Sequence, residues 1–230
     1  MDFSEADARF APVKRSRVFN RICDTLALRE KKVLDLGCGY GEYMQLFGGG
    51  SVGITTTPHE VEYGTARGID IRLGNVERID ELGLPRDFDA IWANNLFEHL
   101  LSPHSFLMKL KTLTKPEALL ILGVPVVPVI PALMQLPKFR GALAHAHINF
   151  FTRRSLRLTV ERAGWQVSAV RPFVATSRTA DDALGAFMPH LYTVAKNDAS
   201  FRYHDKKLKE WGDPLYAPLL SITGQSELRK

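Results

Sequence analysis

Asp35, Gly37, Gly39 and Gly41 are the residues of this chain best suited, by type and spacing, to do chemistry. They lie in Val33-Leu34-Asp35-Leu36-Gly37-Cys38-Gly39-Tyr40-Gly41-Glu42. The apolar run Val33 to Leu36 reads as a short strand buried on both faces, as in a central parallel sheet, with a carboxylate near its end. Glycines reach backbone angles closed to other residues and let a ligand lie against the main chain. The chain is then expected to enter a helix, whose free N–H groups and positive dipole end suit anionic groups. In open α/β sheets ligands bind at the carboxyl ends of strands, so a cofactor is expected here. The spacing Gly-x-Gly-x-Gly is not the Gly-x-Gly-x-x-Gly of dinucleotide binding, which disfavours a nicotinamide-dependent oxidoreductase.

Other elements must position this stretch. Residues Pro12 to Leu28 are predicted to form a leading helix, with Val18, Phe19, Ile22 and Leu26 on one face. Ser51 to Thr55 reads as a second strand, followed by Thr57-Pro58-His59-Glu60, a capping-box start for a helix. Asp70 to Leu73 is a third strand leading into Gly74-Asn75-Val76-Glu77, which reads equally as a ligand contact and as an ordinary turn. Asp87 to Asn95 is a fourth strand, and Leu96-Phe97-Glu98-His99-Leu100 follows. Ser102 and Pro103 open another helix, with Leu101 expected to staple onto Phe106 and with Phe106, Leu107, Leu110 and Leu113 as its buried stripe. Ala118 to Val124 is a fifth strand. His147-Ile148-Asn149-Phe150-Phe151-Thr152 leads into a helix capped by Thr152 and stopped by Gly164. Trp165 to Val174 and Leu191 to Lys196 are two final strands.

In this order the segments resemble class I S-adenosylmethionine-dependent methyltransferases. Val33 to Glu42 is similar to their motif I, Asn94 to Leu100 to the fourth motif with its Glu-His-Leu run, and His147 to Thr152 to a lead-in found in a subgroup acting on small molecules or sugars. The resemblance covers about Lys31 to Lys196. It implies a Rossmann-like α/β fold: a seven-stranded, mostly parallel sheet with helices on both faces and one antiparallel edge strand. It implies S-adenosylmethionine as cofactor and S-adenosylhomocysteine as product. The cofactor-binding residues it implies are Asp35, Gly37, Cys38, Gly39, Tyr40, Gly41, Thr55, Thr56, Asn75, Val76, Asn94 and Asn95. Thr55 is a departure, because the family usually carries a ribose-gripping acid there; a hydroxyl is the weaker partner, and Glu60 or Glu62 is the expected replacement. Glu117-Ala118 stands where the family often has a glycine pair. His147 is the first candidate for a general base, since imidazole titrates near neutrality, and His99 the second; structural roles for both remain open.

The chain has 230 residues, 45% hydrophobic and 24% charged, with a net charge of +5 and a pI near 9.2. These values suit a single globular domain. The basic residues are dispersed. They permit an anionic metabolite but not the massed footprint of a nucleic-acid binder. Cys23 and Cys38 are the only cysteines, so a reducing, cytoplasmic setting is expected. The polar start, Met1 to Arg9, carries no signal-peptide pattern. Ala118 to Leu136 lacks charge over a span-like length, but Pro125, Pro128 and Pro131 argue against a transmembrane helix. No ligand-spaced cluster is evident, so no metal is expected.

Residues 125–146 form an apolar, proline-punctuated insertion, expected to act as a lid or wall of the acceptor pocket; contact with a membrane surface or a dimer partner are the other readings. Residues 197–230, with Phe201, Tyr203, Trp211 and Tyr216, form a C-terminal extension that could fold over the site or meet a second subunit in a homodimer. The expected function is methyl transfer to a small acceptor, favouring O-methylation of a sugar or natural-product metabolite. The alternative is a non-catalytic relative serving as a binding or partner subunit, for which Thr55 is the best argument.

Overall fold

The computed structural model describes residues 3–211 and 222. Tyr216 and most of the C-terminal extension lie outside the described residues. Seven strands form one sheet: β1 (Val33–Leu36), β2 (Val52–Thr55), β3 (Ile71–Leu73), β4 (Phe88–Asn94), β5 (Thr114–Pro125), β6 (Trp165–Arg171) and β7 (His190–Asn197). Their order is β3-β2-β1-β4-β5-β7-β6. The first five are mutually parallel, and β7 runs antiparallel to both β5 and β6. The reversed strand therefore lies one place in from the edge. Strand order switches direction between β1 and β4, which makes their carboxyl ends the natural ligand crevice.

Alternation along each strand divides the core between the two faces of the sheet. Leu34, Leu36, Ile91, Ala93 and Leu122 pack on one face against α4 (Pro103–Lys111) and α6 (Arg153–Arg162), through Phe106, Leu110, Leu156 and Val160. Val33, Trp92, Ile121 and Val194 pack on the other face against Phe19, Ile22 and Cys23 of α2 (Arg17–Leu26). Asp35, two residues beyond Val33, shares this second face.

Several local expectations need correction. The leading segment is two helices, α1 (Ser4–Arg15) and α2, because Ser16 turns extended at ψ 112 and its hydroxyl caps Phe19 N–H. Leu101 is 83% exposed and staples nothing; its N–H donates to the Glu77 carboxylate instead. The helix expected after the glycines is a single 3₁₀ turn, Met44–Leu46. The short stretch Glu42 to Phe47 is followed by Gly48-Gly49-Gly50, which offer no helix propensity. A side chain at Gly48 would also meet the Lys31 backbone at 2.7 Å. Strand β5 begins earlier than expected, and Glu117 within it takes φ 62, the conformation glycine favours.

The insertion folds into short turns, Pro131–Gln135 and Gly141–Leu143 around α5 (Pro137–Arg140), with Phe139 and Ala142 buried. The segment that follows it is fastened to the turn after β4. Phe97 stacks on Phe151 at 5.0 Å, and Ile148 and Asn149 donate backbone N–H groups to the Glu98 carbonyl at 3.1 and 3.0 Å. Phe97 is completely buried. Phe97→Ala is therefore expected to cost about 3–5 kcal/mol, read as a lowered denaturation midpoint with unchanged slope. A loss under about 1 kcal/mol would contradict its role as the pin between these segments.

Candidate functional site

The glycine turn is built around two acids. Asp35 is 1% exposed, and its Oδ2 has no hydrogen-bond partner among the described residues. Burial, with the nearby Glu42 charge adding to it, holds its carboxyl well above the usual range. Glu42 is itself buried and pairs with Arg9 of α1, Nε to Oε1 at 2.5 Å. The turn leaves β1 through Gly37 and Cys38, whose N–H groups donate to the Ile54 carbonyl at 3.0 and 3.1 Å. Gly39 takes φ +56, and a Cβ there would stand 2.8 Å from Glu42 Oε2. Glycine is what lets Glu42 fold against the loop. Since no α-helix begins here, the helix dipole expected from the sequence is replaced by the guanidinium of Arg9 as the local positive group.

Two adjoining hollows share Gly37 and Gly39. The larger, about 420 Å³, is bounded by Arg9, Cys38, Glu42, Tyr43, Asn94 and Asn95. The smaller, about 210 Å³, is bounded by Thr55, Thr56, Glu60, Val76 and Leu96. Of the residues expected to bind a cofactor, Gly37, Cys38, Gly39, Thr55, Thr56, Val76, Asn94 and Asn95 line these hollows. Asp35 lies buried at the strand end. Gly41, at φ +86, packs against Ile69, and the Tyr40 hydroxyl is 3.3 Å from His59 Nδ1. The Asn75 side chain turns back to accept from Glu77 N–H at 2.9 Å, as a cap. The Cys38 thiol is pushed up by burial first and by Asp35 next, so it stays protonated.

Thr55 resolves the departure seen in the sequence. Its hydroxyl donates to the carboxylate of Glu60, in the first turn of α3 (Pro58–Arg67), and accepts from Thr57 N–H at 3.1 Å. Glu60 therefore makes no capping box with Thr57. An acid does reach the end of β2, but from the following helix. Glu62 does not line the hollow.

At the end of β4 two asparagines face the larger hollow. Asn94 Nδ2 donates to the Tyr43 hydroxyl at 3.1 Å, while its buried Oδ1 has no partner among the described residues. Asn95 takes φ 53 and accepts from His190 Nε2 at 3.0 Å. Burial pushes His190 down to about 4, so its imidazole is neutral near pH 7 and acts as a donor. Sequence reasoning missed Arg9, Tyr43 and His190. Arg9 and His190 sit far along the chain from any motif; Tyr43, next to Glu42, was legible only as part of the expected helix.

His99 and His147 meet each other rather than either hollow. Their rings are 4.7 Å apart, and each Nε2 lies 3.9 Å from Glu98 Oε1. Glu98 is 1% exposed, and burial raises its carboxyl above the usual range. The sequence showed no such cluster because His147 arrives from the far end of the insertion.

Comparison with known proteins is consistent with this geometry. The profile described as "Methyltransferase domain" matches residues 8–170. A curated relative, a ubiquinone biosynthesis O-methyltransferase of Maricaulis maris, is 30% identical over 130 residues, which are 49% of this chain and 50% of that protein. The chain thus spans about half the length of that relative. A chain from the complex of the Haloferax volcanii Trm112 methyltransferase activator with a methyltransferase superposes with a TM-score of 0.61 at 17% identity, covering 87% of this chain and 98% of that one. A SAM-dependent methyltransferase of Thermotoga maritima gives 0.57 at 15% identity, covering 84% and 95%. At these identities the structures show a common fold.

The Asp35 environment sets a test with a definite sign. A carboxyl whose folded pKa is raised is penalised when ionised, so its contribution to stability falls as pH rises above the usual carboxylate range. Asp35→Asn is expected to raise the melting temperature of the ligand-free protein at pH 7. A gain of about 1 kcal/mol appears as about 2–4 °C. The difference should shrink as pH is lowered toward 4, where the native carboxyl carries its proton. A lower melting temperature at pH 7 would contradict an unpaired buried carboxylate.

Proposed function

We infer the reaction from one premise: the chain belongs to the methyltransferase-domain family. The methyl donor of this family is S-adenosylmethionine, and the residues present fit it. The donor carries an α-ammonium and an α-carboxylate, a ribose and an adenine. The unpartnered Asp35 Oδ2, beside Glu42, is a buried anionic acceptor suited to the ammonium. Arg9 offers a guanidinium to the carboxylate. Glu60, held at Thr55, takes the ribose hydroxyls as the displaced acid, and Val76 packs against the adenine with Thr56 beside it. Gly37 and Gly39 let the donor lie against the backbone.

Bound there, the donor supplies an electrophilic methyl group on a sulfonium. The protein holds an acceptor oxygen in line with the carbon–sulfur bond. The methyl group would pass to the hydroxyl oxygen as the carbon–sulfur bonding pair returns to sulfur, and the hydroxyl proton would leave to solvent. Holding the two reacting atoms in line can supply several kcal/mol, on the order of 7–11 at best. Asn94 lines the larger hollow, with its Nδ2 on the Tyr43 hydroxyl and its buried Oδ1 packed against Gly123 of β5.

The acceptor proposed is a hydroxyl of a small metabolite, a sugar or a natural product. The name of the Maricaulis maris relative supports oxygen, and the apolar insertion supports a partly apolar molecule. Val129, Ile130, Leu136 and Leu143 of the insertion are exposed, which suits a lid that closes over such an acceptor. The rival reading, a non-catalytic subunit, loses its chief support once Glu60 stands in for the acid missing at position 55.

The single observation that carries this reading is the unpartnered Asp35 beneath the glycine turn. Thermal shift tests it. S-adenosylhomocysteine at a hundred times its dissociation constant should stabilise the protein by about 2.7 kcal/mol, and NAD should not. No shift with either S-adenosyl compound overturns the reading. Glu60→Gln is expected to weaken S-adenosylhomocysteine binding about 10–100-fold, the loss of one charge-assisted hydrogen bond. Unchanged affinity by calorimetry would remove Glu60 from the ribose site.

A further inference from the structure

Glu98, His99 and His147 bring one carboxylate and two imidazoles to a common point, with a ligand atom from each within 4.8 Å of the others. What faces inward there is decided by the outer sides of the rings. His99 Nδ1 lies 3.0 Å from the Ala146 carbonyl, and His147 Nδ1 lies 3.4 Å from the Ala142 carbonyl. A carbonyl only accepts, so each Nδ1 carries the proton. Each Nε2 is then the ring nitrogen turned away from the backbone and toward Glu98. Both Nε2 atoms stand 3.9 Å from Glu98 Oε1, beyond hydrogen-bond distance. Neither Glu98 oxygen has a hydrogen-bond partner among the described residues, although the side chain is 1% exposed.

Three potential ligand atoms thus face one another within 4.8 Å without a hydrogen bond among them. Something positive belongs between them. We propose that Glu98, His99 and His147 bind a divalent transition-metal cation of the zinc or manganese type. Two imidazole nitrogens and one carboxylate oxygen suit such cations, and backbone carbonyls on the opposite ring nitrogens are the usual outer support. A bound cation draws its ligand atoms to about 2.0–2.2 Å from itself. The present separations are somewhat wider than that requires, and small rotations of the two rings close them. Three protein ligands leave at least one position open, and His99, whose side chain is 38% exposed, marks the solvent side.

The site joins two segments. Glu98 and His99 belong to the turn after β4, while His147 closes the apolar insertion. A cation there would lock the insertion's end to the strand whose asparagines face the larger hollow.

Zinc alone, added to chelator-treated full-length protein, tests this by calorimetry, with Co²⁺ absorption reporting the ligand field. The expected result is one Zn²⁺ per chain, a rise in melting temperature, and a Co²⁺ spectrum with nitrogen and oxygen ligands. Glu98→Gln and His147→Gln should each weaken Zn²⁺ binding by more than about 100-fold, beyond what outer-sphere changes cause. Should Glu98→Gln fail to fold, the half-exposed His99→Gln serves, with S-adenosylhomocysteine binding as the check on folding. The inference is overturned if no stoichiometric binding is seen, or if these variants bind Zn²⁺ as the parent does. Glu98 then simply holds a proton shared with the imidazoles. Metal binding is read without turnover, so its failure leaves the methyl-transfer reading untouched.

Discussion

An ionisable carboxylate, forced into the sheet where water cannot reach it, is the constraint on which the cofactor end of this protein depends. Asp35 shares the face of β1 that packs with Trp92 and Phe19, so its neighbours are apolar. Such a charge is expensive unless something pairs with it. Within the chain the neighbouring group is another acid, Glu42, and Arg9 is committed to that one. The glycine turn follows from the same requirement. A side chain at Gly39 would collide with Glu42 and push it away from the turn.

The end of β2 shows the same chemistry reached by another route. A strand-end acid and an acid in the first turn of the next helix approach the same spot from two sides. Here Glu60 supplies the carboxylate and Thr55 the hydroxyl that fixes it. The helix gives up its capping box in exchange, and Pro58 at the first helical position, where a missing N–H is harmless, limits the loss.

Legibility in the sequence followed the range over which each feature is determined. Strands β1, β2 and β4 were readable because burial and alternation are written in consecutive residues, and α6 because Thr152 and Gly164 bracket it. The helix expected after the glycine turn failed for a local reason that was also present: three glycines at 48–50 end it before a second turn can form. The split at Ser16 was missed because the apolar stripe, Val18 to Leu26, lies wholly beyond it. The capping box at Thr57 was misread because Glu60 has a stronger partner in Thr55, which sequence spacing alone does not reveal. Arg9 and His190 were unreadable, since each reaches the site through folding of distant segments.

The histidines sit together at the end of β4, away from both hollows. The Glu98-His99 run does sit at the end of β4, and His147 does come close to it. A base, however, needs a lone pair aimed at a substrate proton. Backbone carbonyls of Ala142 and Ala146 hold the Nδ1 atoms, so each Nε2 is turned toward Glu98. The same two carbonyls belong to the insertion, and the Glu98 carbonyl accepts from Ile148 and Asn149 at its end. Asn149 adds a further bond to the Leu100 carbonyl at 2.6 Å. The orientation of the imidazoles and the placement of the insertion are therefore one structural fact. Any movement of the insertion over an acceptor must either turn these rings or pivot upstream of Ala142, among the exposed apolar residues that precede it.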